Sequence, residues 1–170
     1  MRMDRDELIR RAANIRMAVF DVDGILTDGR LYYAADGTEL KAFHSQDGMG
    51  LKLLQRAGIE LAIITGRRST IVEHRCRELG IEHVYQGSAD KAADLADLLE
   101  KTGLPAEQLC YAGDDIIDVP VMQRVGLAFT VPNAHATATA AAHWVTHRGG
   151  GFGAVRDICD VLLEAQEAAQ

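Results

Sequence analysis

This chain of 170 residues has only three cysteines, no long apolar run and no excess of basic charge. Each shortage excludes something. Cys76, Cys110 and Cys159 are odd in number, far apart, and set in apolar-periodic segments rather than in a CxxC pair. They read as reduced core residues, not as a disulfide framework or a metal clip. The formal charge of -7 argues against a nucleic-acid or anionic-membrane surface, since both need a dominant basic face. An anionic small molecule would need a local basic pocket. The opening residues Met1-Arg2-Met3-Asp4-Arg5-Asp6-Glu7 are charged, with no following apolar stretch long enough for a signal peptide or membrane span, so a cytoplasmic protein is expected. No internal repeat or low-complexity linker is visible. With 48% apolar and 25% charged residues, one domain over residues 1–170 with a substantial core is expected.

Short apolar, β-branched runs at 17–20, 61–64, 83–85, 109–112, 127–129 and 144–145 alternate with helical patterns. That rhythm predicts an α/β fold, a single doubly wound parallel sheet of Rossmann-like type. Val72, Cys76 and Leu79 recur at helical spacing before Gly80-Ile81, a glycine stop followed by an apolar residue. Ala92, Leu95, Ala96 and Leu99 repeat the pattern before Gly103. One stretch breaks the rhythm. Around residues 30–43, two apolar arms flank Asp36-Gly37, a pair suited to the positive φ values of a tight turn, which predicts a small β-hairpin flap. An alanine-rich short helix is expected within 134–142. A glycine-rich tail and a terminal helix striped by Val155, Ile158, Cys159 and Leu162 are expected over 148–168.

In an open parallel sheet, reactive groups gather beyond the carboxyl ends of the strands. The residues just after the apolar runs form a matching set: Asp21 and Asp23, then Thr65-Gly66-Arg67, then Lys91, then Gly113-Asp114-Asp115 and Asp118. Hydrolysis of a phosphate ester needs an in-line nucleophile, a proton donor for the leaving oxygen, and positive charge around the phosphoryl oxygens. Asp21 can be the nucleophile. Asp23, two residues on, can be aimed separately as acid and then as base. Carboxylates converging on one point repel unless a cation sits among them, and an all-oxygen set suits Mg²⁺, with Asp21 and Asp114 as side-chain ligands. Thr65, aided by N–H groups at the start of the following helix, and Lys91 would hold phosphoryl oxygens. Asp118 either orients the metal water or Lys91, or is merely a helix residue. Asp-x-Asp, Thr-Gly, a first-turn lysine and an Asp-capped turn are each common alone; their order along the strand ends carries the inference.

These residues resemble the four motifs of the haloacid dehalogenase superfamily of phosphatases: Asp21-Val22-Asp23-Gly24, Thr65, Lys91 and Gly113-Asp114-Asp115-Ile116-Ile117-Asp118. The resemblance implies an aspartyl-phosphate mechanism, strand one at the sheet's centre, and Mg²⁺ held by Asp21, Asp114 and the backbone carbonyl of Asp23. Further stretches, including Thr65-Gly-Arg, His74-Arg-Cys, Gly80-Ile-Glu-His-Val-Tyr-Gln-Gly and Gly149-Gly-Gly-Phe-Gly-Ala-Val-Arg, resemble the 3-deoxy-D-manno-octulosonate 8-phosphate phosphatase family. That resemblance implies no large cap domain. It also implies a homotetramer in which hairpins and a neighbour's C-terminal tail close the active site. It offers His44, Ser45, Gln46, Asp47, Gly48, Lys52, Arg67, Arg75, Lys91 and Asp115 as substrate contacts. Arginine forks and a lysine suit a carboxylate and a phosphate, and aspartates can accept sugar hydroxyls; Arg75 also reads as an exposed helix residue.

The run Gly149-Gly150-Gly151-Phe152-Gly153-Ala154 satisfies GxGxxA but lacks the βαβ unit and distal acidic residue of a dinucleotide site, so it reads as a flexible tail that docks elsewhere. Where many relatives place a basic residue between these glycines, this chain has Phe152. The histidines at 74, 83, 135, 143 and 147 have no ligand spacing and read as surface or satisfied core residues. Two other functions stay open. One is a phosphatase for another nine-carbon sugar acid phosphate. The other is a receiver-type phospho-accepting module, against which the second aspartate of Asp21-Val22-Asp23 speaks.

Overall fold

β1 (Met17–Phe20) alternates between two cores. Ala18 and Phe20 face a cluster built with Leu8, Leu51, Leu54, Val155, Ile158 and Leu162, whereas Met17 and Val19 face Leu95, Leu98, Val121 and Met122. All four residues are fully buried. A strand apolar on both faces needs cover on both, which is the condition for a doubly wound sheet. The structure, a computed structural model, describes residues 3–169.

Along the chain come α1 (Arg5–Ala12), β1, the pair β2 (Tyr32–Tyr33) and β3 (Glu39–Leu40), α2 (Ser45–Arg56), β4 (Glu60–Ile64), α3 (Thr70–Leu79), β5 (His83–Tyr85) and α4 (Lys91–Thr102). β6 (Leu109–Ala112), α5 (Val119–Met122), β7 (Leu127–Thr130), α6 (Ala136–Ala141), β8 (Trp144–Val145) and α7 (Ala154–Ala168) follow. The main sheet has the order β5-β4-β1-β6-β7-β8 and every pairing in it is parallel. After β1 the chain first builds outward through β4 and β5, then returns to β1's other side with β6. The carboxyl end of β1 is therefore the topological switch point, where such sheets open a crevice.

Local chemistry sets the helix ends. Asp90 accepts from the N–H groups of Ala92 and Ala93 and so starts α4 at Lys91. Gly80 closes α3 at φ 71°, and Ile81 N–H reaches Cys76 O, as the glycine-then-apolar signal predicts. His44 and His135 cap α2 and α6 through Nδ1, and His143 Nδ1 accepts from Ala128 N–H, which accounts for three of the six histidines.

The hairpin forms where expected, with a different turn. Only Gly37 has positive φ, at 86°; Gly37 N–H donates to Ala34 O and Ala34 N–H donates to Thr38 O. The loop is thus Ala35-Asp36-Gly37, a turn closed by a glycine bulge rather than a two-residue turn needing two positive φ values. Asp36 Oδ1 binds Thr38 N–H instead of entering the left-handed region.

The glycine-rich stretch is not a free tail. A Cβ on Gly150 would lie 1.8 Å from Gly24 O, and one on Gly151 would lie 2.4 Å from Asp28 N, while Gly151 N–H donates to Ile25 O. The glycines exist so that two backbone segments can touch. This turn is docked on the loop that follows β1 of its own chain, and α7 packs against α1 and α2.

Candidate active site

Asp21 ends β1. Its N–H donates to Ala112 O of β6, which holds it in line with the strand, and the residue is 5% exposed. Oδ1 accepts from Val22 N–H at 2.7 Å and lies 3.0 Å from Lys91 Nζ. Lys91 opens α4, and its ammonium also donates to Asp118 Oδ1 at 2.6 Å and to Tyr111 OH at 3.3 Å. Asp118 is fully buried and all its acceptor capacity is committed. Oδ1 receives Lys91 and the Tyr111 hydroxyl, while Oδ2 receives the N–H groups of Asp114 and Asp115 at 3.0 Å each. The structure therefore decides between the two readings of Asp118: it fixes Lys91 and the loop after β6.

Tyr111 was not legible as a site residue. An aromatic inside an apolar strand reads as core, and its ring is core; only its hydroxyl reaches the charged group.

Asp21, Asp114 and Asp118 each place a carboxylate oxygen within 4.8 Å of the others. Burial pushes the Asp21 carboxyl up to about 7, with the Lys91 charge opposing and Asp118 adding to the rise. Burial, then the charges of Asp118 and Asp115, push Asp114 up to about 6. For Lys91, burial works against the charged form, but Asp21 and Asp118 outweigh it and its pKa is raised. One ammonium serves three carboxylates, so the cluster lacks positive charge. A divalent cation fits that deficit, and its hard oxygen donors fit Mg²⁺. Gly24, at φ 89°, makes the approach possible: a Cβ there would stand 2.0 Å from Asp114 Oδ2. Since Asp118 is committed to Lys91, Tyr111 and two N–H groups, Asp21 and Asp114 are the carboxylates of the cluster that could hold such an ion.

Thr65 follows β4 and is buried; its N–H donates to Tyr85 O, its carbonyl accepts from Ser88 N–H, and its hydroxyl has no partner among the described residues. The expected helix start is not adjacent, because α3 begins only at Thr70. The nearby N–H groups are those of the Gly66-Arg67 turn.

Asp23 has a partner that sequence reasoning missed. Lys41 Nζ donates to Asp23 Oδ1 at 2.6 Å and sits 3.2 Å from Glu39 Oε1. Glu39 Oε1 also accepts from Arg67 Nη2 at 3.0 Å, and Arg67 donates to Tyr33 OH. Arg67 thus ties the loop after β4 to the flap. Asp115 is exposed beside Asp114 and caps the short turn at Ile116.

The remaining expected substrate contacts are engaged with partners other than Asp21, Lys91 and Asp114. Lys52 Nζ donates to Leu79 O, at the carboxyl end of α3. Asp47 is buried, with Oδ1 accepting from Arg156 N–H in the first turn of α7 and Oδ2 without a partner among the described residues. Gln46 accepts from Arg148. Arg75 pairs with Glu78, lies 5.6 Å above the Phe43 ring, and fills the space a side chain on Gly48 would need. His44 and Ser45 form the cap and first residue of α2. Asp47 and Lys52 each meet a helix terminus, Asp47 the start of α7 and Lys52 the end of α3.

A buried carboxylate at the switch point of a parallel sheet, faced by a buried lysine inside an acidic cluster that fits a metal, is the arrangement of a haloacid dehalogenase-like hydrolase. The model of that family, described as haloacid dehalogenase-like hydrolase, matches residues 80–150. The chain is 49% identical over 159 residues to the 3-deoxy-D-manno-octulosonate 8-phosphate phosphatase KdsC of Salmonella typhi, covering 94% of this chain and 85% of that one. It is also 49% identical to KdsC of Escherichia coli (strain K12) over 160 residues, with the same coverage. The 3-deoxy-D-manno-octulosonate 8-phosphate phosphatase of Moraxella catarrhalis, solved with a magnesium ion, a phosphate ion and a KDO molecule, superposes with a TM-score of 0.93 at 43% identity, covering 95% of this chain and 93% of that one. A cobalt-bound form of the Haemophilus influenzae phosphatase gives 0.89 at 39% identity, covering 92% of each chain. This chain belongs to the 3-deoxy-D-manno-octulosonate 8-phosphate phosphatase family. It is a magnesium-dependent phosphatase.

Proposed function

We propose that the chain hydrolyses 3-deoxy-D-manno-octulosonate 8-phosphate to the free sugar acid and inorganic phosphate, in cytoplasmic synthesis of lipopolysaccharide precursors. The observation that supports this reading most is the Asp21–Lys91 contact of 3.0 Å inside the acidic cluster, on a chain so similar to a phosphatase solved with magnesium, phosphate and KDO.

In this reading an Asp21 oxygen attacks the phosphorus in line, the bond from phosphorus to the ester oxygen breaks, and Asp23 gives that oxygen a proton. Water then attacks the phosphorus of the aspartyl phosphate, Asp23 takes a proton from it, and phosphate leaves Asp21 free. Thr65, the N–H groups of the Gly66 turn and Lys91 hold the phosphoryl oxygens. Magnesium bound by Asp21, Asp114 and the Asp23 carbonyl would neutralise charge on the transferring group.

For the sugar acid we retain Arg67 and Asp115, which adjoin the centre. Arg75 and the 44–48 turn form a second polar rim; Lys52 and Asp47 are read as structural. We also propose one catalytic unit without a large cap, assembled as a homotetramer. Support comes from the flap, which exposes Leu31, Tyr33 and Leu40 at 47–58%. A neighbour's contact with the tail would meet Phe152, 62% exposed, since α7 is held by its own α1 and α2.

The test is phosphate release by the purified protein with Mg²⁺ across a panel of sugar acid phosphates. The eight-carbon acid should be turned over with the highest kcat/KM. Preference for a nine-carbon acid would move the substrate within the class, and stable phosphorylation of the protein without release would favour the receiver-type reading.

A further inference from the structure

Lys41 is the one basic residue of the flap's return arm whose side chain is withdrawn from water: it is 2% exposed. A lysine so buried must be paired, and this one touches two carboxylates, Asp23 and Glu39. Arg67 adds a fourth charge on Glu39, giving a row of alternating sign, Asp23–Lys41–Glu39–Arg67. Asp23 Oδ1 is occupied by Lys41, while Oδ2 has no hydrogen-bond partner among the described residues. Three of the four residues belong to the flap or to the loop after β4. A two-stranded hairpin of two residues a side is too small to hold its own position, so this row is also what fastens the flap over the site.

Building on the phosphatase function, we infer that Lys41 is a positioning residue for Asp23, fixing one carboxylate oxygen so that the other faces the leaving group, and that flap seating and proton transfer are thereby linked.

The test compares Lys41→Met with wild type on two substrates, a sugar acid phosphate and 4-nitrophenyl phosphate. Up to phosphoenzyme formation, kcat/KM depends on Asp23 only where the leaving oxygen needs a proton, and 4-nitrophenolate departs without one. Lys41→Met should lower kcat/KM for the sugar acid phosphate by about 10- to 100-fold and for 4-nitrophenyl phosphate by no more than about threefold. Lys41→Arg, which keeps the charge and donors, should recover part of the loss. In Asp23→Asn the further change Lys41→Met should cost less than about twofold, because the two act as a unit. Equal losses on both substrates, or a double variant as slow as the product of the single effects, would overturn the proposal. Glu39→Gln serves as a milder variant if Lys41→Met does not fold, with the same substrate contrast expected. A wild-type protein that releases phosphate from neither compound would overturn the phosphatase function itself, independently of any variant.

Discussion

Gly24 and Asp114 approach so closely that a Cβ on the first would lie 2.0 Å from Oδ2 of the second. The glycine therefore does two things: it takes a φ of 89° that side chains rarely adopt, and it leaves room for a carboxylate that binds metal. Gly24→Ala should cost about 1–2 kcal/mol in backbone strain and push Asp114 away from the centre. Magnesium affinity should fall by about 10- to 100-fold, the usual scale for disturbing a ligand's support. Titration calorimetry with Mg²⁺ checks this; wild-type affinity in the alanine variant would show that Asp114 is not a ligand.

The crowded carboxylates make a pH prediction for the metal-free protein. Folding raises Asp21 to about 7 and Asp114 to about 6 from the ordinary aspartate value of 3.8, so the folded state holds these protons more tightly than the unfolded chain. Their contribution to stability is complete below about pH 4 and is lost as pH rises toward 7. Asp114→Asn removes one of the repelling charges. Treated with chelator, that variant should have a higher Tm than wild type at pH 7.5, and the gap should close near pH 4. Thermal melts across this range decide it, and added Mg²⁺ should raise the wild-type Tm at pH 7.5 more than that of the variant.

Asp47 illustrates where structure and sequence part. The family resemblance offers it as a sugar contact, while in the structure its carboxylate receives the N–H of Arg156 and supports the first turn of α7, whose start at Gly153 has no side-chain cap among the described residues. Asp47→Ala should cost about 0.5–2 kcal/mol, as loss of a cap does, lowering Tm by about 2–4 °C per kcal/mol. The KM for substrate should stay within about twofold. A large KM change with an unchanged Tm would restore Asp47 to the substrate.

Much of the site was legible because its parts sit where strands end, and strand ends follow from apolar runs. Asp21, Thr65, Lys91 and Asp114 are each fixed by a local pattern of that sort, and glycine stops at Gly80 and Gly103 mark the helices between them. What stayed hidden depends on contacts between distant segments. Lys41 lies in the flap's return arm, Glu39-Leu40-Lys41-Ala42-Phe43, where nothing local marks its partner; only the flap's return onto Asp23 buries it. Tyr111 contributes one hydroxyl from inside an apolar strand. The glycine run at 149–153 looked like a loose tail because its partner, the 24–28 loop, is more than a hundred residues away. The turn at 35–37 was misjudged for a local reason: Asp36 can satisfy its carboxylate on Thr38 without a positive φ.

In the proposed reaction Asp21 carries the phosphoryl group between the two steps. The direct measurement is acid quench of Asp23→Asn shortly after mixing with Mg²⁺ and 4-nitrophenyl phosphate, whose leaving oxygen needs no proton from residue 23, followed by mass analysis of the peptide that spans residue 21. Slowing the second step in that variant should leave one phosphoryl group on Asp21, and Asp21→Asn should neither carry the group nor turn over. A phosphoryl group found on another residue, or wild-type turnover by Asp21→Asn, would contradict the account.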